Sequence, residues 1–131
     1  MSWKFYGHAA VFGVPDTVGD IICPGAFTEF LSTEGHLEIP ILNGHEQNQA
    51  VGKLLHIHQD AFGLFIVGEL VAPLPPPYAG LSIGPTNSQG SPYPNAYGGK
   101  LIRVCHLNEI SIVITPTNPV CRILGPWEAK I

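Results

Sequence analysis

Thirteen prolines and fifteen glycines interrupt this 131-residue chain at short intervals, and that punctuation leaves long helices almost nowhere to form. Proline removes a backbone donor and fixes φ, while glycine weakens a helix interior by roughly 1 kcal/mol relative to alanine. Short apolar runs remain between the breaks, the pattern of a compact, mainly β domain. Hydrophobic residues make up 45% of the chain and charged ones 12%, which is the opposite of a disordered composition. The length suits one domain, residues 1–131, around a single core.

Trp3 to Val14 reads as a first strand, ended by Pro15-Asp16. Cys23-Pro24-Gly25 opens one convincing helix, with Ala26, Phe27, Phe30 and Leu31 at helical spacing and Gly35 as its end. Leu37 to Leu42 is a second strand closed by Asn43-Gly44. Val51 to His58 and Leu64 to Val71 are the arms of a hairpin around Asp60 to Gly63. Pro73 to Pro77 reads as an extended linker, Leu81 to Ile83 as a short strand, and Pro85 to Gly99 as a turn-rich loop. Leu101 to Thr115 alternates as one long strand or two short ones, stopped by Pro116-Thr117-Asn118-Pro119, and the tail to Ile131 has no strong pattern.

Several function classes are disfavoured at this level. Net charge is −4, with six Lys and Arg and no basic run, so the clustered cations that hold phosphates are missing and no nucleic-acid partner is expected. No apolar stretch approaches the roughly 20 residues that span a bilayer, so no membrane partner is expected. The start of the chain lacks the charge-then-apolar pattern of a signal peptide. Cys23, Cys105 and Cys121 are odd in number and scattered. They fit neither a disulfide framework nor a paired zinc site, and a reduced, cytosolic setting is the simplest reading.

Serine attack on an amide needs a hydroxyl, an imidazole to take its proton, and a group that orients the imidazole. Ser82 lies between Gly80 and Gly84, with Leu81 and Ile83 pointing the other way. Its face is thus uncrowded, although a plain strand serine beside structural glycines fits the spacing equally. His45 follows Asn43-Gly44 at a strand end, where scaffolded side chains often function; a solvated loop histidine would look the same. On a continuous strand from Leu101 to Ile114, Ile102, Val104, Ile110, Ile112 and Ile114 share the core face with His106 and Asn108. A buried imidazole there needs a hydrogen-bond partner, and that reading fails if a bulge divides the strand. Glu109 falls on the opposite face with Arg103. His56 and His58 stand at i and i+2 on one strand face, the geometry of half a metal site that Asp60 or Glu69 could complete.

Four stretches in order resemble the phage prohead proteases, distant relatives of herpesvirus assemblin. They are Tyr6 to Gly13 with Gly19 to Phe27; Ile39 to His45 with Val51-Gly52-Lys53; Gly80-Leu81-Ser82-Ile83-Gly84; and His106 to Val113 running into Pro116 to Pro119. The resemblance covers about residues 6 to 121 and implies a mainly β (α+β) fold, a small assemblin-like β-barrel with one or two short helices. It implies a serine endopeptidase with Ser82 as nucleophile and His45 as base. The third position aligns on His106, with Glu109 as the alternative. It implies no cofactor and no metal. The expected partners are major capsid protein and scaffold protein as substrates, cut inside the viral procapsid in the host cytoplasm; self-cleavage and a homo-oligomer are further possibilities. The family's helix before the serine is replaced here by Pro73 to Tyr78, which leaves open a degenerate protease serving as a capsid or cement protein. That alternative predicts Ser82 and His45 too far apart to hydrogen-bond, or a filled cleft. A metal-dependent β-barrel enzyme using His56 and His58 is the third reading.

Overall fold

The computed structural model describes residues 3–72, 79–91 and 93–126; the Pro73 to Pro77 linker lies outside them. In chain order the elements are β1 (Trp3–Val11), β2 (Ile21–Ile22), α1 (Thr28–Leu31), β3 (Pro40–Asn43), β4 (Ala50–Gln59), β5 (Gly63–Leu70), β6 (Gly80–Gly90), β7 (Leu101–Val113) and β8 (Ile123–Pro126). All eight strands belong to one sheet in the order β2-β7-β3-β4-β5-β1-β8, with β6 paired on β7.

The mainly β expectation matches this architecture, but among the described residues the sheet does not close into a barrel. Its margins are fastened by isolated bridges instead, Phe12 to Ile22 and Gly80 to Arg122, and by the bonds Leu81 N–H to Cys121 O and Ile123 N–H to Ala79 O. The helix is shorter than its apolar spacing predicts. Ser32 Oγ and Thr33 Oγ1 donate to the carbonyls of Glu29 and Phe30 at 2.6 Å, and such local bonds compete with a further helical turn.

Strand β7, at 13 residues, is the spine. Along one side runs β6, antiparallel. Along the other lie β2 at its start and β3 at its end, both parallel to it. The sequence reading stopped the serine strand at Ile83, yet β6 continues through Pro85 to Gly90. Proline is tolerated there because the register shifts on both sides of Pro85, and bulges accept a residue that cannot donate to the ladder. The core gathers Phe5, Phe27, Ile41, Leu64, Ile66, Leu81, Ile110 and Ile112, all fully buried.

Candidate active site

Register places the candidate residues. Ser82 pairs with Ser111 and Gly84 with Glu109 across β6 and β7, while Leu81 pairs with Ile112 and Ile83 with Ile110. Side chains alternate between faces, so Leu81, Ile110 and Ile112 enter the core and Ser82, Glu109 and Ser111 share the other face. On the far side of β7, Asn43 of β3 pairs with Ile112, and the chain then turns over that polar face. Gly44 and His45 both have positive φ, 60° and 65°, and Glu46 N–H returns to Asn43 O at 3.1 Å. Two left-handed central residues are the signature of a type I′ turn.

The turn brings the His45 imidazole between two partners. Nδ1 lies 2.5 Å from Glu109 Oε1, and Nε2 lies 3.1 Å from Ser82 Oγ. Glu109 is held in turn, for Ser111 Oγ–H donates to its Oε2 at 2.6 Å. The same Ser111 oxygen accepts the His45 backbone N–H at 2.9 Å. One buried hydroxyl thus fixes both the histidine's backbone and the carboxylate beneath it. With a proton on Nδ1 donated to Glu109, Nε2 presents its lone pair to the serine hydroxyl. Among the described residues Ser82, Glu109 and Ser111 are the buried polar side chains, and all three converge on His45.

The core face of β7 runs Cys105, Leu107, then Ile110 and Ile112, a step of three where strict alternation requires two. The cause is a bulge at Asn108: Gly84 pairs with Glu109 but the next residue, Pro85, pairs with Leu107. An extra residue reverses the alternation, so His106 leaves the core face that the sequence pattern gave it. Its Nε2 lies 3.8 Å from Glu29 Oε1 and its ring meets the edge of Phe30. The place on His45 Nδ1 that the sequence reading favoured for His106 is held by its alternative, Glu109. Ser111, two positions from Glu109 on the same strand, shares that glutamate's face, a signal the sequence carries although the motif by itself gives Ser111 no role.

The other candidate cluster is differently engaged. His56 Nε2 and His58 Nδ1 lie 2.6 Å apart on the exposed face of β4. Asp60 is taken by His8, 2.7 Å away, and by the Phe62 and Gly63 N–H groups of the hairpin turn. Burial pushes the Asp60 carboxyl up, but those bonds outweigh it and hold it below the ordinary aspartate value. Glu69 lies 3.9 Å from Lys53. No three His, Cys, Asp or Glu side chains converge as a metal site among the described residues. Burial raises the Cys105 thiol to about 11 and the Cys121 thiol to about 12, which leaves both protonated and poor nucleophiles at neutral pH. The loop after β6 is tethered, with Asn95 Nδ2 donating to Gly19 O at 2.8 Å and to Lys100 O at 3.1 Å.

The family model described as caudovirus prohead serine protease matches residues 1–75, a span that contains His45 and stops short of Ser82. The prohead protease of Enterobacteria phage HK97 is 36% identical over 66 residues, covering 50% of this chain and 29% of that protein. The chain therefore aligns with under a third of that relative's length. A structure of KSHV protease in complex with a hexapeptide phosphonate inhibitor has a TM-score of 0.51 at 18% identity, covering 86% of this chain and 60% of that one. Varicella-zoster virus protease has a TM-score of 0.45 at 22% identity, over 53% and 32% of the two chains. At its low identity the KSHV likeness speaks to the fold alone.

Proposed function

The chain belongs to the caudovirus prohead serine protease family, and from that premise we propose that it is a serine endopeptidase of capsid maturation with Ser82, His45 and Glu109 as its triad. The observation that carries this reading is the unbroken line from Glu109 through both imidazole nitrogens of His45 to Ser82 Oγ. The non-catalytic capsid-protein alternative predicts those residues apart or the cleft filled, and 3.1 Å between Nε2 and Oγ speaks against the first.

The Ser82 oxygen attacks the carbonyl carbon of the scissile peptide bond, and its proton passes to His45 Nε2. The C–N bond then breaks as Nε2 returns that proton to the leaving amine, and an acyl ester remains on Oγ. Water, deprotonated by the same nitrogen, releases the acid and restores the serine. Glu109 holds the imidazole with Nδ1 protonated and balances the charge it gains; a carboxylate does this where a neutral histidine could not. The carboxylate has nowhere to drift, because Ser111 holds its second oxygen.

The substrates on this reading are segments of the major capsid protein and scaffold protein inside the procapsid, within the host cell. The test mixes wild-type protein or Ser82→Ala with the capsid and scaffold proteins encoded beside its gene and maps cuts by mass spectrometry. A fluorophosphonate probe reports the serine separately. Cuts and labelling confined to wild type support the protease. A folded wild type that neither labels nor cuts refutes it.

A further inference from the structure

Beside Ser82 lies a cleft partly open to solvent. A cavity of about 210 Å³ is lined by Ser82 itself and by Ala9, Ala10, Leu81 and Ile102, with more apolar wall than polar.

The void has a local cause in β1. Pairing with β5 slips between His8 and Ala10, leaving Ala9 as the extra residue of a bulge. Both Ala9 and Ala10 are consequently buried, each at 2% exposure, where a regular strand would turn one of them outward. Two adjacent inward side chains would fill the space beside Ser82 if they were large. As alanines they leave it open.

We propose that this cavity is the specificity pocket of the protease, receiving an aliphatic substrate side chain of leucine or methionine size that flanks the scissile bond. The inference rests on the serine protease reading above. Size supports it: an apolar cavity of about 150 Å³ is enough to hold a benzene ring, so this one accepts a branched or thioether side chain with room to spare. Charge sets the exclusion. Asp16 and Asp20 also line the cavity. Each spends Oδ1 on backbone N–H groups, Asp16 on Val18 and Asp20, and Asp20 on Lys100. Their negative charges repel a glutamate or aspartate side chain entering the same space. A second cavity, about 510 Å³ and lined by Tyr93, Pro94 and Lys100 among others, touches none of Ser82, His45 and Glu109 and is not the acyl site.

The experiment profiles a peptide library, randomised at the residues flanking the cut, with wild type, Ala10→Val and Ile102→Ala. Cleavage rates are normalised to the fraction of Ser82 that a small fluorophosphonate labels, so folding losses drop out. Wild type should prefer leucine and methionine over alanine by about tenfold or more, the scale on which an apolar pocket senses missing methylenes, and reject aspartate and glutamate. Ala10→Val should move the preference toward alanine, and Ile102→Ala toward phenylalanine, with the change in KM as well as kcat. Cleavage with the same profile in all three proteins overturns the pocket while leaving the protease standing. A wild-type preference for lysine that disappears in Asp16→Asn and Asp20→Asn overturns the aliphatic assignment in favour of a cationic one. Absence of both labelling and cleavage in folded wild type removes the protease reading and the pocket with it.

Discussion

Gly84 makes room for the carboxylate that orients His45, and replacing it with alanine should disable the site without unfolding the sheet. A Cβ at this position would lie 2.5 Å from Glu109 Cδ and 2.7 Å from its Cγ, and nearer still to Oε1. Carbon atoms in contact sit at about 3.5–4.0 Å, so the glutamate must retreat by about 1 Å. The backbone has no other objection, for Gly84 is not among the glycines with positive φ. A retreat of that size stretches the 2.5 Å bond to His45 Nδ1 to the edge of hydrogen-bonding range. Misplacement by 1 Å can cost an enzyme about a hundredfold in rate, which corresponds to about 2.7 kcal/mol of transition-state stabilisation. The expected result is a fall of about that size in kcat, with KM nearly unchanged because Gly84 is not assigned to substrate binding. Peptide cleavage kinetics measure both, with circular dichroism as the check on folding. Wild-type kcat in a folded Gly84→Ala protein would refute the reasoning, because the side chain whose position it depends on cannot stay where it is.

Glu109→Gln keeps the shape of the orienter but removes its charge, and should lower kcat by about 10⁴-fold, as the same change does in the Ser-His-Asp triad; His106→Ala should stay within a fewfold of wild type, and steady-state kinetics on both settles which residue serves His45. Ser111→Ala strands a Glu109 oxygen and the His45 N–H, and at about 1–3 kcal/mol per buried unpaired group it should measurably lower the urea midpoint as well as the rate. Asp60, held below its unfolded value, adds stability that is full above the unfolded pKa and is lost as pH falls through the folded one. Acid titration of thermal stability should therefore lose a component in Asp60→Asn. Iodoacetamide at neutral pH should modify half-buried Cys23 before Cys105 and Cys121, whose buried thiols stay protonated; mass spectrometry of the labelled peptides reads the order.

Much of this architecture is legible in the chain because its strands follow simple alternation. The hairpin of β4 and β5, the turn at Asn43-Gly44 and the outward face of Ser82 all come from local pattern. What the pattern hides are bulges. One at Asn108 exchanges His106 for Leu107 on the core side, and another at Ala9 turns two alanines inward where alternation allows one. A bulge is one unpaired residue whose existence is decided by the neighbouring strand, so no window along β7 alone reveals it. Pro85 misleads for a related reason. It reads as a strand end, but the register slips around it and the strand continues. His45 and Ser82, assigned by resemblance, meet in space at 3.1 Å.

The site also explains an oddity of the backbone. His45 is the non-glycine residue with positive φ among the described residues, and a conformation of this kind costs on the order of 1–3 kcal/mol and persists only where the surroundings impose it. Here they do. Gly44 N–H is fixed to Ile112 O at 3.0 Å and His45 N–H to Ser111 Oγ at 2.9 Å, so two successive residues of β7 grip two successive residues of the turn. A glycine at position 45 would relax the backbone and lose the imidazole. Asparagine and aspartate, which also tolerate this conformation, are too short to bridge Glu109 and Ser82. The strain is therefore retained where a histidine is needed, and the buried hydroxyl of Ser111 holds it by bonding the strained residue and its carboxylate partner at once.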